Sequence, residues 1–79
     1  MTHQEQQMRA VLIDEVLDPK RWMLGRIVRN KAFGRCAFKA AAEEVFGALE
    51  ALVDIGVVEV RPKFDPEYGF TVCEYRRHP

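Results

Sequence analysis

Apolar residues recur at helical spacing through the first two-thirds of the chain and at every second position beyond residue 56. Residues 3–17, HQEQQMRAVLIDEVL, place Met8, Val11, Leu12 and Val16, with the neighbouring Ile13 and Leu17, on one broad stripe, which predicts a first helix. Asp18-Pro19 breaks it. Aspartate suits an N-cap and proline the first helical position, so a second helix is expected from Pro19 to about Asn30. On it Met23, Leu24, Ile27 and Val28 converge on one face, while Arg26 and Arg29 point outward with Trp22 between them. Residues 31–38, KAFGRCAF, read as a connection with a turn at Gly34 and a short extended piece from Arg35 to Phe38. A third helix is expected from Lys39 to Ile55, rich in Ala, Leu and Glu. Ala41, Ala42, Val45, Ala48, Leu49, Leu52 and Val53 form its buried face, Phe46 lies at the edge, and Gly56 is placed to cap its end.

Two strands follow. VVEVR, residues 57–61, sets Val58 and Val60 against Glu59 and Arg61, and FTVCEYR, residues 70–76, gives Phe70 and Val72 a common face. PKFDPEYG between them carries two prolines, an aspartate and a glycine, and reads as the loop of a long hairpin. The tail RRHP is expected to fray. The fold class is α+β: three helices, then a two-stranded hairpin, in one domain spanning residues 1–79.

That order of elements, and the text AEEVFGALEALVDIGVVEVR at residues 42–61, resembles the winged-helix domain. The matching residues are Leu49 and Leu52, the acidic Asp54, Ile55, Gly56, and the alternating Val58 and Val60. The departure is the long connection from Asn30 to Lys39, which contains Gly34 and two phenylalanines. The resemblance implies duplex DNA binding, with the third helix in the major groove and the hairpin as a wing on the backbone. Fold alone does not fix function, and some winged helices bind only proteins.

Charge sharpens the choice. The chain is formally neutral, with 12 basic and 12 acidic residues. Seven of the cations, Lys20, Arg21, Arg26, Arg29, Lys31, Arg35 and Lys39, fall within residues 20–39, which hold no acid. The remaining five cations and twelve acids leave the rest of the chain at −7. The outer face of the third helix holds Ala40, Glu43, Glu44, Gly47, Glu50, Ala51 and Asp54, four of them acidic and none basic. Duplex DNA would repel such a face. The start of the same helix is different, because Arg35, Lys39 and its first N–H groups are all positive.

Two readings follow. The first is a non-enzymatic nucleic-acid binder using Arg26, Arg29, Lys31, Arg35 and Lys39, with Arg61 and Lys63 from the wing. The second is a protein-interaction module with Trp22, Glu43, Glu44, Glu50 and Asp54 as its contacts. One form of it is a small phage-type inhibitor, such as the anti-CRISPR proteins that cover basic nucleic-acid sites with acidic surface. Phe64 and Tyr68 are expected to fold back over the end of the core in a domain this small. Homodimerisation would add stability for the same reason.

No catalytic constellation, metal-ligand spacing or cofactor motif is present, so no enzyme and no cofactor are expected. His3 and His78 lie in the terminal segments, and Cys36 lies in the basic block, where a lowered thiol pKa is expected. Cys36 and Cys73 are expected to be free thiols in a reducing cytoplasm. The N-terminal MTHQEQQMRA is too polar for a signal peptide, and no run reaches the ~20 apolar residues of a membrane span.

Overall fold

The computed structural model describes all 79 residues, Met1–Pro79. Its elements run α1 (His3–Val11), a π turn (Leu12–Val16), β1 (Met23–Leu24), α2 (Gly25–Arg35), α3 (Ala42–Asp54), β2 (Val58–Asp65) and β3 (Phe70–Arg77). The three strands form one antiparallel sheet in the order β1-β3-β2. The α+β class and the helices-then-hairpin order hold. The sheet, however, has three strands, because residues 23–24 pair with β3 rather than joining a helix.

Thr2 caps α1, its hydroxyl accepting from the Glu5 N–H at 3.1 Å. The helix ends in a wider turn, closed by the Leu17 N–H donating to the Leu12 carbonyl at 2.8 Å. The wider turn keeps Leu12 and Val16 in the core, and the extended backbone at Leu17 brings that side chain in beside them.

The second helix starts six residues later than expected. Asp18 does accept from the backbone, taking the Lys20 N–H at 2.7 Å, but this closes a local turn instead of capping a helix. The chain then runs extended so that Met23 pairs with Tyr75 and Leu24 with Glu74. Gly25 opens α2 at a point of close approach. A Cβ there would lie 3.2 Å from Phe46 and 3.4 Å from Tyr75. Gly25, Val28 and Ala32 form the buried face of α2, which continues through Gly34 to Arg35. Residues 36–41 are therefore the connection, and the turn at Gly34 and the extended piece at Arg35–Phe38 do not form.

α3 matches its periodicity, with Val45, Leu49 and Leu52 fully buried and Ala48, Val53 and Phe46 packed beside them. At its start the Ala41 N–H donates to Glu44 at 3.1 Å, so Glu44 holds the first turn. Gly56 follows at φ 81° with open space where a Cβ would stand. Gly56→Ala is therefore expected to cost about 1–2 kcal/mol of stability through backbone strain alone, readable by urea unfolding at unchanged m-value.

β2 is longer than expected and takes in Pro62, which a central strand would exclude. β2 lies at the sheet edge, where a missing N–H is tolerated. The turn between strands is Pro66–Gly69, closed by the Gly69 N–H donating to the Asp65 carbonyl at 2.8 Å. The C-terminal arginines are not frayed. Arg76 and Arg77 belong to β3, and the Arg77 guanidinium donates to the Ile13 carbonyl at 2.8 Å, tying the sheet to the π turn. One core of Met8, Leu12, Val16, Leu17, Val28, Ala32, Val45, Leu49, Leu52 and Val58 lies between the helices and the sheet. No helix is long and apolar enough to cross a membrane.

Candidate nucleic-acid interface

Arg26 and Arg61 are committed to carboxylates within the fold. Arg26, in the first turn of α2, donates through Nε to Asp65 at 2.9 Å and pairs with Glu67 at 2.6 Å. Its guanidinium also lies 5.6 Å from the centre of the Tyr68 ring. Asp65 is fully buried at the end of β2. Its second oxygen accepts from the Glu67 N–H at 3.0 Å, so both carboxylate oxygens are used. The Arg26 hydrogen bond is the main cause that holds the Asp65 carboxyl below the usual carboxylate range, against the opposing effect of burial.

Arg61 pairs with Glu74 at 2.9 Å, directly across the hairpin, and Arg76 pairs with Glu59 at 2.8 Å one step further on. Both guanidinium groups lie over the Trp22 ring, 4.1 Å away for Arg61 and 4.5 Å for Arg76. Trp22 thus stands in the extended segment before β1, not between Arg26 and Arg29 on a helix. The late start of α2 moves it to the sheet. This cluster locks β1 to the hairpin by cation–π and charge-paired contacts, and Arg76 was the member sequence reasoning missed. A readable signal existed: Glu59 and Arg61 alternate on one strand, and Glu74 and Arg76 alternate on the other with the signs matched.

The remaining cations carry no carboxylate partner. Lys31 and Arg35 are exposed one turn apart on α2, and Lys39 is exposed three residues before α3. Arg35 donates only to the Glu15 carbonyl at 3.2 Å, and Arg29 only to the Asn30 side chain at 3.2 Å. Lys63 is exposed near the hairpin end. Lys31, Arg35 and Lys39 thus lie at the α2–α3 junction, ahead of the N–H groups that open α3, and Lys20 and Arg21 are likewise exposed and unpaired before β1.

The outer side of α3 keeps its acidic character, with Glu43, Glu44, Glu50 and Asp54 exposed. Glu44 has the structural role given above. Cys36 departs from expectation. Burial first, and then the nearby Glu44 and Glu15, push its thiol up. Phe64 and Tyr68 also depart. They do not fold over the core, and with Phe70 they remain 57%, 48% and 58% exposed.

No family model and no curated protein matches the chain. Among solved structures it is similar to a candidate transcriptional regulator from Thermoplasma acidophilum. The match has a TM-score of 0.71 at 15% identity and covers 92% of this chain and 67% of that one. The two chains share a fold. At that identity the likeness speaks to backbone arrangement, and the side chains above must carry any functional argument.

Proposed function

We propose that this chain is a single winged-helix domain of residues 1–79 that binds nucleic acid without catalysing a reaction. The observation that carries this reading is the trio Lys31, Arg35 and Lys39, exposed and without carboxylate partners at the junction leading into α3. Arg29 and Lys63 extend the contact set along α2 and to the wing. Arg26 and Arg61 of the expected set act by bracing the wing against α2 and β1. The fold shared with a candidate transcriptional regulator supports the same reading.

The acidic face of α3 dictates the approach. Glu43 and Glu44 stand in its first turn and Glu50 and Asp54 further along, so the phosphates must meet Lys31, Arg35 and Lys39 ahead of the helix rather than its acidic face. Binding measured by fluorescence anisotropy against duplex DNA should weaken linearly in log affinity with log salt. A chain that shows no affinity for duplex DNA or for single strands even at low salt is not a nucleic-acid binder.

One observation favours the protein-partner reading in second place. A groove of about 500 Å3 between α1 and α3 is lined by Glu5, Glu43 and Glu44 against one cation, Arg9, with the small Gly47, Ala48 and Ala51 beside them. Its carboxylates suit a basic protein surface. Replacing Glu43, Glu50 and Asp54 by alanine, which spares the capping Glu44, leaves duplex binding intact under the first reading and abolishes partner binding under the second.

A further inference from the structure

The basic and aromatic features of this chain meet at a second place, away from the α2–α3 junction. Between α2 and the hairpin lies a cleft of about 290 Å3. Gly25 is on its wall, where the absence of a side chain lets Phe46 and Tyr75 approach. Tyr68 stands at its side and Arg29 at its edge. Arg26 and the buried Asp65 close it with their ion pair, which cancels their charges. Arg26 also serves Glu67, so Arg29 is the lining cation that has no carboxylate partner. Val72 lines the cleft as well, and Lys63 is its register partner on β2.

The tip beside this cleft is held in place. Asp65 accepts from Arg26 and from the Glu67 N–H, and its carbonyl accepts from the Gly69 N–H. This bracing presents aromatic surface to solvent where a small domain would gain by covering it. Tyr68 and Phe70 lie nearly parallel, with ring centres 5.5 Å apart and planes 12° from each other. Flat, fixed rings suit a planar partner. The volume is at the bottom of the range for small-molecule sites, too small for a peptide helix and adequate for one planar base with its sugar.

We propose that this cleft receives a single unpaired base of a single-stranded nucleic acid, packed against the Tyr68 ring beside the Arg26 guanidinium that lies over it, and with its phosphate at Arg29. The site rests on the nucleic-acid reading above and adds to it. The junction cations grip phosphates of any strand, and the cleft selects strands whose bases are free to leave a stack. Tyr75 lines the cleft as well, and burial, followed by the neighbouring Cys73, pushes its phenol up.

The test compares labelled oligonucleotides of one sequence, single-stranded and as a duplex, by anisotropy with wild-type protein, Tyr68→Ala and Tyr68→Phe. Tyr68 is half exposed, so its replacement leaves the core intact, which a thermal melt verifies. Tyr68→Ala is expected to weaken single-strand binding about tenfold while duplex binding changes less than about twofold, and Tyr68→Phe is expected to retain single-strand binding. Loss of both affinities to the same degree, or of neither, overturns the cleft assignment. Wild-type protein that binds duplex but not single strands overturns it too and leaves the function proposed above standing. Wild-type protein that binds neither overturns both.

Discussion

Replacing Lys31, Arg35 and Lys39 together by alanine is expected to weaken duplex binding roughly a hundredfold at low salt. Each exposed cation without a carboxylate partner can release one condensed counterion on meeting a phosphate. Three such contacts contribute about 2.7 to the slope of log affinity against log salt. The triple variant should therefore lose affinity and also become less sensitive to salt by about that amount. Stability should hardly change, because all three side chains are exposed and none pairs with a carboxylate. A contrasting control is Arg61→Ala. Its guanidinium is held by Glu74 and Trp22, so its removal should lower stability and leave the salt slope nearly unchanged. A triple variant with the wild-type slope would place the phosphate contacts elsewhere on the molecule.

Asp65→Ala is expected to lower the melting temperature by roughly 5–10 °C, a large effect in a chain of 79 residues. The carboxylate is buried, accepts from Arg26 and from the turn backbone, and joins the hairpin end to the start of α2. Its removal leaves Arg26 with the exposed Glu67 as its acid partner. The acid dependence follows from the same contacts. The folded-state pKa of Asp65 lies below its unfolded value near 3.9, so its contribution is fully present above that pH. It fades as pH falls through the depressed folded value. Melting curves of wild type and Asp65→Asn should therefore differ most near neutrality and converge in strong acid. A gap that stays constant down to pH ~2 would mean that the charge of Asp65 does not contribute to stability.

What could be read from the sequence divides along the range of the interactions involved. Val45, Leu49, Leu52 and Gly56 were legible because helical period and a C-terminal glycine are local signals. The start of α2 was not. Asp18-Pro19 suits a helix N-terminus and a tight turn equally, and pairing of Met23 and Leu24 with residues some fifty positions later decides between them. Pro62 misled for a related reason. It marks a loop unless its strand lies at an edge, and edge position is a property of the whole sheet.

The candidate site follows the same division. Which residues carry charge is plain in the sequence, and the acidic face of α3 was read correctly from its spacing alone. Which charges are already used is a matter of tertiary pairing. Arg26 meets Asp65 across 39 positions, and no local pattern announces it. The exposure of Phe64 and Tyr68 was hidden too. Whether an aromatic residue of a hairpin covers the core depends on how far the strands extend beyond it, and both strands here run eight residues.

Pro62 has one more consequence, for how copies of this chain can meet. The His78 N–H donates to the Val57 carbonyl, which fixes the phase of the β2–β3 ladder. In that phase Val58, Val60, Pro62 and Phe64 turn their backbone nitrogens to the free side of β2. The row of donors along that side is broken at its middle, so a second molecule cannot zip onto it as an added strand. The edge is closed to fibril-like growth, even at concentrations where three exposed aromatic rings would otherwise encourage it. Pairing of two copies along β2 must therefore proceed through side chains rather than through an added strand.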